Sequence, residues 1–404
     1  MSHVRACVAT VIALALLGGC VDNGQVTAPA DGVWLAAPAG NGQTDGRRLF
    51  DHETFGGNGR TCRTCHMVGN GTITVDAVAQ RLAEDPGDPL FLHDGLDDGV
   101  VGTSRIATHA TIRVELQLPP NVTLLDDPLR RTIVVNRGVP TTMNAPALDA
   151  GPLAALMLDL RNVDLQEQAL GAIHGHAQNT IEPTAQQLDA IAAFQQTDLR
   201  FFSSNELRAF AHGGPPPELP EGRTPSQKRG RLFFIDTPSA PGQKQGACAF
   251  CHSGPMLNAA NQFAFPDFFT PPGAKVNTAL VAEANRPGNP EFTFRVDNGF
   301  GNIRIVTTPD PGVMLTNPRT PHLNAFLPPP FVIHPAFFAG FFKTPSLWGV
   351  RHTPPYFHDN SAKTLREVVD HYGDEFFKFF TIGGEFITLT EQDRQDIVAF
   401  LETL

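Results

Sequence analysis

The chain carries the stretch Cys62-Arg63-Thr64-Cys65-His66 and, much later, the stretch Cys248-Ala249-Phe250-Cys251-His252. Both follow the pattern C-x-x-C-H, in which the two thiols can bond to the vinyl groups on one edge of a porphyrin. The histidine that follows lies under the ring and can coordinate the iron. The sequence therefore predicts two covalently bound c-type haems, with His66 and His252 as iron ligands.

Two other uses of paired cysteines fit this sequence less well. A structural zinc site needs further Cys or His at close spacing, and neither motif has a second C-x-x-C nearby. A thioredoxin-like redox pair does not require the histidine, and no βαβ pattern surrounds either motif. We therefore expect all four motif cysteines, Cys62, Cys65, Cys248 and Cys251, to hold haem.

The N-terminal residues predict export. Arg5 is a short basic region, and Val8 to Leu17 form an apolar region of signal-peptide length, too short to span a membrane. The segment ends in Leu17-Gly18-Gly19-Cys20, which resembles a bacterial lipobox. Residues 1–20 are thus predicted to be a lipoprotein signal peptide with Cys20 lipidated, and ordinary cleavage nearby is the alternative. We expect a periplasmic protein whose lipid anchors it to the outer membrane.

Charge and cysteine usage limit the other functions of the chain. The formal net charge is −11, and no block of Lys and Arg suggests binding to nucleic acid. Of the six cysteines, Cys7 leaves with the signal peptide, Cys20 would carry lipid, and the other four would hold haem. No cysteine then remains for a disulfide. The fold must rest on apolar cores, for which 404 residues are enough.

Sequence features that occur twice predict two similar halves. Arg231-Leu232-Phe233 precedes the second haem motif much as Arg48-Leu49-Phe50 precedes the first. A capped helix that begins after Thr184 recurs after Thr390, with Ile and Phe at matching positions of one face. Such echoes indicate two homologous domains with one haem each.

The predicted fold class is mainly α, with two cytochrome-c-like haem domains packed together, a small β hairpin and long loops. The hairpin would pair the alternating segment 111–118 with residues 133–135. A further strand is expected at 292–299, leading into a tight turn. The predicted organisation is a flexible tether at 21–45, a first domain at 46–212, a linker at 213–226, and a second domain at 227–404 with a long insertion at 255–342.

Three motifs of the second half carry a resemblance to a known family. They are Lys343-Thr344-Pro345-Ser346-Leu347, Pro355-Tyr356-Phe357-His358-Asp359 and Thr364-Leu365. The first half contributes residues 137–144 and 164–171. Together these resemble the bacterial di-haem cytochrome c peroxidases and the MauG-type di-haem enzymes, from about residue 46 to the C-terminus.

The resemblance implies a function. Peroxide or oxygen would react at the N-terminal haem, and the C-terminal haem would relay electrons from a small donor cytochrome or cupredoxin. We therefore expect an exported di-haem oxidoreductase that reduces hydrogen peroxide or, like MauG, uses it to oxidise a protein or organic substrate. The alternative is a pure electron-transfer cytochrome without an open catalytic haem. Apart from the N-terminal lipid, no contact with a membrane is expected.

The resemblance also implies catalytic residues near the first haem. The family's Gln is present as Gln168, but the position of its acid–base Glu falls on Gln178, and an amide cannot take a proton as a carboxylate can. His174 and His176 lie nearby and are candidates for that role or for an iron ligand. Glu182 is a further candidate.

Two further departures concern electron transfer and calcium. Leu158 stands where the family has a tryptophan between the haems, so that aromatic relay is missing. Gly138 replaces the family's calcium-ligating Asn, which leaves the carbonyls of Thr353 and Pro355 and makes calcium a doubtful cofactor.

The sixth ligand of the second haem is predicted from spacing within the family. Tyr372 lies fourteen residues after His358, where the peroxidases have Met and MauG-type enzymes have Tyr. Tyr372 is one of only two tyrosines in the chain. Its neighbour His371 is the alternative ligand, and simple packing of Tyr372 is another.

Overall fold

The protein is described by a computed structural model over residues 45–149, 156–238, 240–259, 261, 278–280, 289–316, 334–379, 381–382 and 384–404. The predicted signal peptide with Cys20, and the tether as far as residue 44, lie outside these residues. Residues from Thr44 to Leu404 form one compact unit. In the part that is described, no helix is both long enough and apolar enough to cross a membrane.

The described residues are mainly α-helical, with small sheets, as the sequence predicted. The helices of the first half are α1 Gly46–His52, α2 Cys62–Cys65, α3 Val75–Glu84, α4 Ser104–His109, α5 Ala145–Asp149, α6 Leu165–Ala172, α7 Ala185–Thr197 and α8 Asn205–Ala211. Those of the second half are α9 Pro225–Arg231, α10 Leu365–His371, α11 Phe377–Phe379 and α12 Glu391–Leu401.

The closing helices of the two halves begin as their sequences predict. The Thr184 side chain accepts a hydrogen bond from the backbone N–H of Gln187 at the start of α7. Thr390 does the same with Asp393 at the start of α12. Each bond satisfies a backbone donor that has no partner within the helix, which stabilises a helix start by about 1 kcal/mol. The prediction of two matching capped helices is confirmed.

Each closing helix packs against the helix that opens its own half, and a glycine allows the contact. A Cβ on Gly46 of α1 would overlap the carbonyl oxygen of Ala190 in α7. A Cβ on Gly230 of α9 would overlap the carbonyl oxygen of Asp396 in α12. The two backbones therefore touch at the crossing, which only glycine permits. The same crossing occurs once beside each haem motif.

The strands form several small antiparallel sheets rather than the single hairpin that was predicted. The strands are β1 Thr111–Gln117, β2 Val122–Leu124, β3 Thr132–Gly138, β4 Thr278–Leu280, β5 Phe292–Asp297, β6 Ile303–Thr308, β7 Phe341–Lys343, β8 Thr381–Ile382 and β9 Glu385–Phe386. The expected hairpin is β1 paired with β3, with Val114 opposite Val135. The expected strand at 292–299 is β5, which pairs with β6.

The other pairings were missed because they join distant segments. Strand β2 pairs with β5, so that Leu124 lies opposite Phe294 of the insertion. Both side chains are buried in the apolar core of the first half. Strand β4 pairs with β7, also across a long separation. The described part of the insertion thus completes the core of the first half.

One local conformation occurs in both halves at a spacing of 200 residues. Isolated bridges join Leu156 to Asn162 and Tyr356 to Ala362. Within the two turns, φ is positive at Met157 and Phe357, with values of 68° and 69°. It is positive again at Leu160 and Asn360. A helix follows each turn, first α6 and then α10, and each helix continues into a π-turn, at Ile173–Ala177 and Tyr372–Phe376.

Candidate functional site: two cavities at the C-x-x-C-H motifs

A cavity opens beside each C-x-x-C-H motif. The first cavity contains about 880 Å³ of atom-free space and is lined by Cys65 and His66. The second cavity contains about 1740 Å³ and is lined by Cys248, Cys251 and His252. Each volume includes some open solvent. Open space thus lies beside each motif, where the sequence predicts attachment of a haem.

Both motif histidines are oriented in the same way. Nδ1 of His66 lies 2.7 Å from the carbonyl oxygen of Gly71, and Nδ1 of His252 lies 2.9 Å from that of Leu257. A carbonyl can only accept, so Nδ1 carries the proton and Nε2 keeps its lone pair. Histidines that bind metals usually make this second hydrogen bond. The arrangement therefore suits coordination of an iron through Nε2.

Burial keeps these histidines neutral and the thiols protonated. It lowers the pKa of His252 to about 4, although hydrogen bonds to the carbonyls of Leu257 and Pro345 act in the other direction. It also raises the pKa of Cys62 to about 12 and that of Cys248 to about 12. A neutral imidazole is the form that binds iron, and a thioether carries no charge. The chemistry of both motifs fits covalent haem.

Two of the predicted catalytic residues line the first cavity with His66. Gln168 lies on α6, and His176 lies in the π-turn that continues this helix, with Ala172 between them. The spacing of four residues places all three on one helical face. Single π-turns within helices often occur at functional sites. The structure thus brings Gln168 and His176 together at the first cavity.

The other predicted residues lie elsewhere. Nε2 of His174 lies 2.8 Å from a carboxylate oxygen of Glu182, and both side chains are largely exposed. The Gln178 side chain turns to Asn58, whose Nδ2 donates to its Oε1 at 3.2 Å. None of these residues is part of the cavity wall. Their catalytic assignment stays a prediction from the resemblance.

Sequence reasoning missed the residues that hold His176. Nδ1 of His176 lies 2.5 Å from a carboxylate oxygen of Asp94, which is buried. The other oxygen of Asp94 pairs with Arg60, which is also buried. Arg60 is two residues before the first haem motif, but Asp94 is far from both residues along the chain. Only the fold brings these three side chains together.

Both candidate ligands of the second haem line the second cavity. Tyr372 and His371 lie at the junction of α10 with its π-turn, and both line the same cavity as His252. Nδ1 of His371 lies 3.6 Å from a carboxylate oxygen of Glu375. The spacing of 200 residues makes Ala172 the counterpart of Tyr372 in the first half. Where the second cavity has a phenol, the first therefore has a methyl group.

The two cavities share part of their walls. Residues 138–141, Leu158 and Lys343 line both of them. Leu158 occupies the position of the family's tryptophan, and its carbonyl accepts a hydrogen bond from the backbone N–H of Lys343 at 2.8 Å. Burial lowers the pKa of Lys343 to about 8, although Asp159 opposes this change. Only a thin layer of protein therefore separates the two sites.

A buried ion cluster supports this shared wall. The Arg137 guanidinium donates to both oxygens of Asp310 at 2.7 Å and to Asp159 at 2.6 Å. All three side chains are almost completely buried. Arg161 also donates to Asp159, at 2.8 Å. Asp310 belongs to the insertion, so the cluster ties the insertion to the wall between the cavities.

The position of the family's calcium-ligating side chain is filled from another segment. A Cβ on Gly138 would stand 2.7 Å from Cγ of Asn360. The Asn360 amide nitrogen donates to the carbonyls of His109 and Ala110, at 2.9 and 3.0 Å. Among the residues that the structure describes, no three His, Cys, Asp or Glu side chains group as a metal site.

Comparison with known proteins agrees with the motifs. No family model matches the chain. Cytochrome-c peroxidase IdrP1 of Pseudomonas sp. (strain SCT) is 27% identical over 225 residues, which are 53% of this chain and 48% of that protein. Methylamine utilization protein MauG of Methylorubrum extorquens is 43% identical over 65 residues, 16% of this chain and 18% of that protein. The match thus spans at most about half the length of these relatives.

The chain is thus similar in sequence to a cytochrome-c peroxidase and to MauG, in line with the resemblance carried by the motifs. Among solved structures, a MauG-like protein associated with microbial copper homeostasis aligns over 89% of this chain and 87% of its own, with 18% identity and a TM-score of 0.44. The di-haem peroxidase BthA of Burkholderia thailandensis E264 aligns over 89% and 84%, with 16% identity and a TM-score of 0.44.

Proposed function

We propose that the protein is an exported di-haem oxidoreductase that reduces hydrogen peroxide, or uses it to oxidise a protein or organic substrate. Cys62, Cys65 and His66 would hold the first haem, and Cys248, Cys251 and His252 the second. The relatives support peroxide as the oxidant, because one of them is a cytochrome-c peroxidase. The electron donor would be a small cytochrome or a cupredoxin.

The contrast between Ala172 and Tyr372 carries the proposal. Both residues line their cavities, at the spacing of 200 residues that also relates the starts of α6 and α10. A methyl group cannot bind iron, whereas a phenol oxygen can. Ala172 would therefore leave room for peroxide in the first cavity, and Tyr372 would hold the second haem together with His252. An open haem iron would supply the electrons that break the O–O bond of peroxide.

The second cavity suits electron delivery. It shares residues 138–141 and Leu158 with the first cavity, so that two haems in these places would be separated by one layer of side chains. Leu158 is not redox-active, so electrons would pass directly between the haem edges. The role proposed for the second haem is to accept electrons from the donor and pass them to the first.

Electron paramagnetic resonance of the oxidised protein tests this function. We expect one high-spin ferric signal from the open first haem and one low-spin signal from the second. Hydrogen peroxide should also oxidise a protein sample that has first been reduced by one electron per chain. Two low-spin signals, together with no reaction with peroxide, would favour a pure electron-transfer cytochrome instead. The lack of a carboxylate at Gln178 points toward the same alternative.

A further inference from the structure

His176 is held in place by the loop that leads into the first haem motif. Its carbonyl oxygen accepts hydrogen bonds from Nδ2 of Asn58 at 3.0 Å and from Nη1 of Arg60 at 3.4 Å. The backbone N–H of Asn58 donates to the carbonyl of Ala177 at 2.9 Å. The π-turn that carries His176 is thus fixed to the segment that carries Cys62. Movement of the ring relative to the haem site is restricted.

The imidazole ring is oriented by a buried carboxylate. Oδ2 of Asp94 lies 2.5 Å from Nδ1 of His176, and Oδ1 pairs with Arg60. Arg60 in turn donates to the carbonyls of Pro89, Leu90 and Leu92, at 2.8, 3.0 and 2.6 Å. The bonds to the three carbonyls fix the segment around Asp94, and the Arg60 guanidinium neutralises much of the charge of the Asp94 carboxylate. A buried charge is tolerated only with such partners.

The hydrogen bond decides which ring nitrogen carries the proton. Burial raises the pKa of Asp94, but its bonds to His176 and Arg60 outweigh this and lower it overall, so the group is a carboxylate. A carboxylate can only accept a hydrogen bond, so Nδ1 of His176 is protonated. In the neutral ring, Nε2 then has a free lone pair. Because the ring lines the first cavity, Nε2 is the nitrogen available there.

We propose that His176 is the proton-transferring residue of the first cavity and that Asp94 is its positioning residue. The pair replaces the carboxylate that is missing at Gln178. This inference rests on the proposed peroxide chemistry and names the groups that serve it. His174, two residues earlier, cannot share the role, because it pairs with Glu182 on the surface. The other ionisable groups around the cavity are His66, Arg137, Arg161 and Lys343.

One proton moves between the two oxygens of hydrogen peroxide. Nε2 of His176 takes this proton from one oxygen and gives it to the other. The O–O bond breaks and the protonated oxygen leaves as water. Two electrons from the reduced donor protein and two protons from solvent complete the conversion of one peroxide into two water molecules. A positioned proton carrier of this kind accelerates a reaction by about 10²- to 10⁴-fold.

Cyanide binding gives a test that does not depend on turnover. Hydrogen cyanide must lose a proton when it binds ferric iron, so the same base should accelerate its association. The variant His176→Gln, which keeps the Asp94–Arg60 pair, should slow cyanide association with the ferric first haem at least tenfold by stopped-flow absorbance. It should also lower peroxidase kcat/KM by about 10²-fold or more. The control His212→Gln, at an exposed histidine that lines neither cavity, should change neither quantity.

The outcomes separate this inference from the proposed function. If His176→Gln binds cyanide as fast as the wild type, the inference is wrong even where peroxide is reduced. If cyanide binding depends on His176 but peroxide does not react, the inference stands and the peroxidase function fails. If the wild type binds no cyanide, or if His176→Gln converts a low-spin first haem to high spin, His176 is not a free base and the inference is overturned.

Asp94 is tested by conservative rescue. Asp94→Asn removes the charge that orients His176, and we expect slower cyanide association; Asp94→Glu keeps the carboxylate and should restore part of the rate. Adding Asp94→Asn to His176→Gln should slow association no further, because the two residues act through one ring. Equal association rates for the Asp94→Asn and Asp94→Glu variants, at equal thermal stability, would assign Asp94 a structural role only.

Discussion

Gly138 and Asn360 occupy one space that two side chains could not share. The resemblance places an asparagine at the first position, and in this chain the Asn360 side chain fills that space instead. The amide is therefore kept at the same place but is supplied from the second half. The Asn360 amide nitrogen donates to the carbonyls of His109 and Ala110, and so connects the second half to the first.

Gly138→Ala should destabilise the protein because the new methyl group overlaps Asn360. Overpacking of this kind costs about 1–3 kcal/mol in the free energy of unfolding, which urea denaturation measures. The double variant Gly138→Ala/Asn360→Gly removes the overlapping amide and should recover part of this loss. A double variant less stable than the single one would show that the two positions do not compete for space.

Asp159→Asn should destabilise the protein by about 3–5 kcal/mol, because it leaves buried Arg137 without part of its countercharge. The exposed pair of Glu391 and Arg366 is the control, and Glu391→Gln should destabilise the protein far less than Asp159→Asn, because solvent screens an exposed ion pair. Burial raises the pKa of Asp159, but Arg161 and Arg137 lower it overall below its usual 3.8. The stability that Asp159 contributes is therefore present above pH 3.8 and is lost as pH falls through the lowered pKa. Urea denaturation at pH 7 and pH 3 should show the difference between wild type and variant shrinking at the lower pH.

Tyr372→Phe should change the second haem and leave the first unchanged. A phenolate is an anionic ligand that stabilises ferric iron, so its loss should raise the reduction potential of the second haem and shift its low-spin signal. Redox titration with paramagnetic resonance measures both quantities. Unchanged spectra in this variant, with altered spectra in His371→Ala, would assign the ligand to His371 instead.

Loss of one cysteine should remove covalent haem from one site alone. Cys65→Ser should leave one haem at the second motif, and Cys251→Ser one at the first, because each motif has its own cavity. The pyridine haemochrome assay should return two haems per chain for the wild type and one for each variant. One haem or none in the wild type would end the di-haem interpretation.

Cys20→Ser should abolish lipidation. The lipobox predicts that labelled palmitate enters the wild-type protein and that the protein fractionates with membranes. The variant should be unlabelled. A wild-type protein without label would leave only an ordinary signal peptide.

Local patterns in the sequence predicted the local structure well. The helix caps at Thr184 and Thr390 and the pairing of β1 with β3 depend on residues close together in the chain, and the structure confirms them. Pairing of β2 with β5 could not be predicted, because nothing in either segment specifies a partner about 170 residues away. The strand at 292–299 of the insertion was therefore predicted, but its pairing with β2 was not.

The same limit applies to the site. The haem motifs are contiguous, and so they could be recognised directly. Asp94 could not be recognised in this way, because it is one of three aspartates in the segment 93–99 and no pattern there points to His176. The choice between His174 and His176 also required the fold, since two residues along a helix turn the side chain by about 200°.

The wall that the two cavities share restricts how their properties can diverge. Val139 and Pro140 line both cavities, so a substitution at either residue alters the surroundings of both sites. Ala172 and Tyr372 each belong to one cavity, where a substitution has no such side effect. The two cavities are therefore easiest to change separately on the helices and hardest to change separately in the shared wall, and engineering of this protein should begin on the helices.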